Sequence, residues 1–356
     1  MARRFSILAG SKEICSEKIS GIFIGYLVGP IIHCSPVLTR VLIVLDYERS
    51  LHMNKLLIDI LNDCRKYIKE GVVASYIPEL KKANPEKLGI CIISNGGSVC
   101  SAGDSKAEFT MQSVIKPIIL LLALMDKGEE EVRRIVGVES TGKPFDAFNY
   151  SDQALKSEHI NPMINAGAIA LCTLINGETY TEKFSRLLAL VRKLADNPQL
   201  EVDENVYMSE KETGSKNRAL AYMLHAYGMI NDNVECILDC YFRACSIKVN
   251  SVDLAKIAFA FANKGKSITG EHVFDKKYAK YINAILITCG MYDGSGEFAL
   301  NVGVPAKSGV GGGIMAMVPQ RMGIGIYSPA LDSKGNSCAG IKVLEALSKK
   351  LELSIF

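Results

Sequence analysis

Nine consecutive residues, Pro117-Ile118-Ile119-Leu120-Leu121-Leu122-Ala123-Leu124-Met125, carry no polar side chain. A helix built from them is apolar all round, so protein must surround it on every side. The fold is therefore organised around this element. The residues that lead into it are Phe109-Thr110-Met111-Gln112-Ser113-Val114-Ile115-Lys116. Ser113 and Lys116 fall in the first turn of the expected helix, and positions i and i+3 share a face, so hydroxyl and amine can meet. A desolvated lysine can act as the base that turns a serine into a nucleophile. The helix N-terminus favours the negative charge that develops in acyl transfer. A serine and a lysine three residues apart also arise by composition alone, and Ser140-Thr141-Gly142-Lys143 is a second instance. The pair gains meaning only from the rest of the chain.

A chain of 356 residues can form one large domain or two small ones. With 48% apolar and 22% charged residues the composition is that of an ordinary globular protein. A net charge of +3, with no basic run interleaved with aromatics, gives no case for nucleic acid as a partner. The eleven cysteines include a cluster at Cys236, Cys240 and Cys245. Its spacings are not Cys-x-x-Cys, and no histidine lies beside it in a metal-ligand pattern. On a helix Cys236 and Cys240 would share a buried face, as free cysteines usually do. The cysteines read as reduced and the protein as cytoplasmic, with no metal or other cofactor expected. His33, His52, His159, His225 and His272 are scattered.

Residues 1–50 differ from the rest. Two apolar stretches, 19–32 and 37–45, are broken by Pro30, Pro36 and Arg40. Neither reaches the roughly 20 residues of a membrane span, and the first begins too far from Met1 for a signal peptide. Clear helical periodicity starts at Met53, through Leu56, Leu57, Ile60, Leu61, Cys64, Tyr67 and Ile68. A domain over 53–356 is expected. Residues 1–52 are then an extension of unknown role, either disordered or an artefact of the start site.

Further along, 88–94 and 98–102 read as a β-hairpin turning at Asn95-Gly96-Gly97. After the Ser113 helix a second helix is expected over 129–136. The stretch from Gly137 to Pro144 approaches a phosphate-binding loop but puts Pro144 where the metal-binding Ser or Thr belongs. Helices are then expected over 163–174, 181–195, 217–226, 234–245, 251–263 with Ser251 as N-cap, and 275–289. Three strand-like runs follow, 297–303, 306–319 and 321–328, two of them rich in glycine, and a last helix over 338–351. The early hairpin and the late strands can form one antiparallel sheet of about five strands. That gives an α/β (α+β) domain, with helices flanking the sheet and a helical subdomain inserted in the sequence.

A Ser-x-x-Lys hydrolase needs a second basic element on a strand facing the serine. Lys307-Ser308-Gly309 is the only Lys-Ser/Thr-Gly in the chain, and it opens a late strand. Gly311-Gly312-Gly313 lets the backbone approach a substrate closely. The N–H groups of Ser113 and Val310 are candidates for the pair of donors that a tetrahedral intermediate requires.

On these residues the chain resembles the serine-dependent glutaminase family, which has a serine β-lactamase and penicillin-binding-protein-like fold. The resemblance covers about 54–352. It is carried by Ala74-Ser75-Tyr76-Ile77-Pro78-Glu79-Leu80, the Ser113 helix and Asn161-Pro162-Met163-Ile164-Asn165-Ala166-Gly167. It continues in Ser209-Glu210-Lys211-Glu212-Thr213-Gly214-Ser215-Lys216-Asn217 and Tyr241-Phe242-Arg243-Ala244-Cys245-Ser246. Its last segments are Gly290-Met291-Tyr292-Asp293 and Pro305-Ala306-Lys307-Ser308-Gly309-Val310. Family members tend to have serine where Ile115 stands, on the face away from the pair. The resemblance implies hydrolysis of the side-chain amide of L-glutamine to glutamate and ammonia, in a homo-oligomer, dimer or tetramer.

By the same resemblance Ser113 is the nucleophile, Lys116 the base and Tyr292 a proton relay. Glu210 binds the substrate ammonium, and Tyr76, Asn165, Asn217 and Tyr241 are polar substrate ligands. A neutral Lys116 requires a lowered pKa, which burial and the Lys307 cation would favour. Taken singly, Asn217 could be a helix cap, Tyr241 a core aromatic and Glu210 a solvated charge. Two rival readings share the fold. A β-lactamase or peptidoglycan carboxypeptidase should carry Ser-x-Asn or Tyr-x-Asn in its helical block, whereas here that block holds Asn165 and Glu210. A catalytically inactive ligand sensor has no need of Ser113, Lys116 and Tyr292 together.

Overall fold

The computed structural model describes residues 36–142 and 160–356, with side chains from Ser50 onward. The chain divides into two units, 1–45 and 46–356. Of the first, residues 36–45 are described and are helical. The second holds the sheet and the helices packed on it.

Helix α1 spans Pro36–Cys64. Strand β1 (Val72–Val73), the hairpin β2 (Gly89–Ser94) and β3 (Val99–Gly103), and β4 (Phe109–Thr110) lead to α2 (Lys116–Ile135). The helical block holds α3 (Asn165–Leu174), α4 (Tyr180–Ala195), α5 (Glu204–Thr213), α6 (Ser215–Ala226) and α7 (Val234–Cys245). Next come β5 (Lys248–Val249), α8 (Ser251–Ala262), α9 (Lys276–Cys289) and α10 (Ser295–Asn301). The chain closes with β6 (Ala306–Ser308), β7 (Gly313–Val318), β8 (Met322–Tyr327), β9 (Ala330–Leu331) and α11 (Cys338–Leu351).

The expected sheet is present: five strands in the order β3-β2-β8-β7-β6, antiparallel throughout. Alternation along β7 sorts its side chains between two cores. Ile314, Ala316 and Val318 pack with Leu57 and Ile60 of α1 and Val343 and Leu347 of α11. Met315 and Met317 face the other way, into the core built around α2. On that face β8 carries Gly323 and Gly325. A Cβ at either would lie 2.1 Å from the backbone of α8, at Phe259 N and Ser251 O respectively. The glycines therefore let α8 lie directly on the sheet. Ile118 to Ala123 of α2 are at most 4% exposed, as an all-apolar helix requires.

Several elements differ from expectation, for identifiable reasons. Residues 297–301 belong to a helix, α10, and 302–303 follow its end, so no strand forms here: Phe298 and Val302, four apart, are buried while Leu300 is 85% exposed. The run 306–319 is two strands, because the chain turns at Gly309–Gly312, with Gly312 at φ +94°. The helix over 129–136 continues α2 past a kink at Gly128 (φ +80°). Asn250, not Ser251, caps α8, in a reciprocal box with Asp253. Helix α1 begins at Pro36 and not at Met53, and α5 was not foreseen. Cys236 is exposed, while Cys240 and Cys245 are buried. Lys143 and Pro144 of the phosphate-loop-like stretch lie outside the described residues. Among the described residues no helix is long and apolar enough to cross a membrane, and no three His, Cys, Asp or Glu side chains group as a metal site.

Candidate active site

The serine is held on a constrained turn. Strand β4 pairs with β5, and the Met111 N–H bonds the Ile247 carbonyl at 2.9 Å. Gln112 then adopts φ +48°, a conformation that costs a non-glycine residue about 1–2 kcal/mol and persists only where its surroundings impose it. Its side-chain amide donates to Thr110 Oγ1 (3.3 Å) and to the Cys245 carbonyl (3.5 Å). Gln112–Ile115 form a 3₁₀ turn, and Lys116 opens α2. Ser113 thus precedes the α-helix instead of lying in its first turn. With three residues per turn, Ser113 and Lys116 stack directly along the axis. The glycine turn of the sheet lies flat on this segment: a Cβ at Gly309 would sit 2.6 Å from Met111 O, and one at Gly311 2.5 Å from Thr110 O.

Lys116 is fully buried. Its Nζ donates to the Met163 carbonyl (3.1 Å) and to Asn165 Oδ1 (2.7 Å). The same oxygen accepts from the Tyr241 hydroxyl (3.4 Å), and Asn165 Nδ2 donates to Asn217 Oδ1 (2.8 Å). Sequence positions spread over three helices, α3, α6 and α7, therefore meet in one polar network beside Ser113. Tyr241 is buried, and burial holds its hydroxyl well above the usual phenol range.

From the sheet side, Lys307 of β6 is also fully buried. Its Nζ donates to the carbonyls of Ser308 (2.6 Å) and Gly290 (3.1 Å) and stands 4.3 Å from the ring centre of Tyr292. Burial first, and the neighbouring charge of Lys116 second, lower its pKa well below that of an ordinary lysine. Tyr292 is held at φ +52° in a turn closed by Ser295 Oγ donating to its carbonyl at 2.8 Å. Its hydroxyl is directed at Ser113 and at the backbone amide of Val310. Burial raises its pKa, and those two contacts partly offset the rise. Ser308 and Val310 are buried alongside.

Glu210, on α5, is 5% exposed and its Oε2 has no hydrogen-bond donor. Burial pushes its pKa up to about 8 against an ordinary 4.5, opposed by a hydrogen bond with Gln112 and by the charge of Lys116. Tyr76 differs from the other expected ligands: it stands 57% exposed, just ahead of the 3₁₀ turn Pro78–Lys82. Gln112 had not been singled out from the sequence. Nothing in its local pattern marks it, since its contacts with Glu210 and Cys245 join residues far apart in the chain.

A serine hydroxyl, a buried amine and a phenol brought into one region are groups that acyl transfer can use. A family profile described as Glutaminase matches residues 71–356. The chain belongs to the glutaminase family. It is 53% identical over 302 residues to a glutaminase of Clostridioides difficile, covering 85% of this chain and 98% of that protein. It is 48% identical over 305 residues to glutaminase 2 of Clostridium perfringens, covering 85% and 100%. Among solved structures, a probable glutaminase from Bacillus subtilis complexed with 6-diazo-5-oxo-L-norleucine is similar to it. The TM-score is 0.78 and the identity 39%, over 85% of this chain and 97% of the other. These neighbours are glutaminases of the serine β-lactamase-like fold, in line with the architecture expected from the sequence.

Proposed function

We propose that this glutaminase-family protein hydrolyses the side-chain amide of L-glutamine through an acyl-enzyme on Ser113. In this reading Lys116 accepts the hydroxyl proton as Ser113 Oγ attacks the amide carbon. The backbone amides of Ser113 and Val310 hold the oxyanion. The C–N bond then breaks and ammonia leaves with a proton relayed through Tyr292. Water, deprotonated by the same groups, adds to the ester carbonyl, and cleavage of the C–O bond releases glutamate and restores the Ser113 hydroxyl. Lys307, whose Nζ stands 4.3 Å from the Tyr292 ring centre, holds the phenol in place from the sheet side.

The observation that carries the substrate assignment is Glu210 Oε2, a buried carboxylate oxygen with no donor of its own. An α-ammonium supplies the missing donors and the opposite charge. Such a charge-assisted bond is worth roughly 1.5–3 kcal/mol. In this reading Asn165, Asn217 and Tyr241 complete a polar end for the zwitterion, with Tyr76 as a further ligand by family resemblance. Ammonia release from purified protein given glutamine, asparagine or a penicillin tests the assignment. Turnover of glutamine alone is expected; hydrolysis of the penicillin would assign the site to the β-lactamase class.

Glu210→Gln should lower kcat/KM for glutamine by roughly 10- to 100-fold, and far less for Nα-acetylglutamine, which lacks the ammonium. We further propose that the enzyme works as a cytoplasmic homo-oligomer, dimer or tetramer. Its cysteine usage and its family resemblance support that reading.

A further inference from the structure

Gln112 hydrogen-bonds the Glu210 carboxyl, but its Oε2 has no donor, so side-chain contacts alone hold Glu210 only partly. Its position is set by where α5 lies against α7, the helix that bears Tyr241 and Cys245. Along α5, Tyr207, Glu210, Lys211 and Gly214 form one stripe at helical spacing. At the Gly214 end, a Cβ would come within 2.6 Å of Phe242 Cζ, so α5 ends flat on a ring of α7. At the other end a single carboxylate gathers the contacts. Asp239 Oδ1 accepts from the Tyr207 hydroxyl and from Lys211 Nζ (2.8 Å), while Arg243 Nε donates to Oδ2 at 3.1 Å. Lys211 Nζ also donates to the Tyr207 hydroxyl (2.9 Å). The Arg243 guanidinium stacks 4.1 Å from the Tyr207 ring centre and reaches Glu204 at 3.4 Å. Glu210 lies between Tyr207 and Lys211, the two α5 residues that Asp239 holds, and ahead of the Gly214 contact.

We propose that Asp239 is a positioning residue for the ammonium end of the active site: by tying Tyr207 and Lys211 of α5 to α7, it sets the place of Glu210 relative to Tyr241 and so the preference for a free α-amino group. The proposal rests on the reading of Glu210 as the ammonium ligand. Asp239 lies outside the reacting centre, so its loss acts on recognition and not on the chemistry at Ser113. Each of the three hydrogen bonds to Asp239 is partly solvated and modest on its own, but all three converge on this one side chain.

The test measures Asp239→Asn, Asp239→Glu and Tyr207→Phe beside Glu210→Gln, with glutamine and Nα-acetylglutamine as substrates and melting temperature as a control. Asp239→Asn is expected to raise KM for glutamine about 3- to 10-fold with kcat within about twofold of wild type. The preference for glutamine over the acetylated analogue should fall by the same factor. Asp239→Glu should restore most of it, and Tyr207→Phe, which removes one donor and keeps the ring, should show a smaller effect in the same direction. If Glu210→Gln raises KM while Asp239→Asn and Tyr207→Phe leave the preference unchanged, the proposal is overturned. A drop in kcat that follows melting temperature, with the preference unmoved, overturns it equally. If Glu210→Gln itself leaves KM unchanged, the reading of Glu210 fails first, and with it the ground for the proposal.

Discussion

Replacing Glu210 by glutamine should make the empty protein more stable at alkaline pH, although it damages the enzyme. The side chain is buried, and its pKa stands at about 8 in the fold against an ordinary 4.5. Between those two values the folded state binds a proton that the unfolded chain has released. Folding stability therefore falls as pH rises from 4.5 toward 8, and stays low above it. At about 1.4 kcal/mol for each pH unit, the loss reaches roughly 5 kcal/mol as an upper figure. Water entering the site beside an ionised Glu210 would relieve part of it. Glutamine keeps the shape and has no charge to desolvate, so Glu210→Gln escapes this loss. The assay is denaturant unfolding of both proteins at steps from about pH 4 to 9, without ligand. Their free energies should lie close at the acid end and separate progressively, the variant becoming more stable by several kcal/mol at the alkaline end. Glutamate, whose ammonium pairs with the carboxylate, should recover stability in the wild type only. Parallel pH curves for the two proteins would refute the claim that Glu210 is an uncompensated buried acid.

Ser113→Ala and Lys116→Ala should each reduce ammonia release by roughly 10³-fold or more, and the double variant should be no slower than either, because the two act as a unit; a double variant far slower than both singles contradicts that. Gly309→Ala places a methyl group 2.6 Å from Met111 O, so the Ser113 turn must shift; kcat should fall at least about tenfold, as misplaced reacting groups imply, with circular dichroism unchanged, and wild-type kcat would show that the turn tolerates the shift. We also propose that residues 1–50 are dispensable: the described core contacts of α1 begin with Met53, Leu56 and Leu57, so a chain starting at Met53 should remain soluble and active, and insolubility would make the removed residues part of the folding unit.

The elements read correctly from sequence were those whose signal is local. The all-apolar run after Lys116 dictates a central helix whatever surrounds it, and α11 has an amphipathic period bounded as expected at Cys338–Leu351. The pair Ser113 and Lys116 and the later Lys307-Ser308-Gly309 were legible because three-residue spacing and chain order carry them. Residues 297–303 misled because a short helix with two buried residues can be taken for an alternating strand, as Leu300, Phe298 and Val302 illustrate. Helix α5 was missed because its buried face includes Glu210 and Tyr207, polar groups that weaken an apolar period. The left-handed Gln112 was out of reach altogether: its conformation is imposed by contacts with Thr110, Cys245 and Glu210, the last two more than ninety positions away. The same holds for Asp239, whose three donors come from two helices.

The claim that most needs testing is that Ser113 is the atom-donating nucleophile. The electrophile 6-diazo-5-oxo-L-norleucine, present in the related Bacillus subtilis structure, is a glutamine analogue that can mark it. After incubation, digestion and mass spectrometry of the protein, one adduct should map to Ser113, its extent should follow the loss of ammonia release, and glutamate should slow both. An adduct on Tyr292 or on a cysteine, or full inactivation with Ser113 unmodified, would contradict the account.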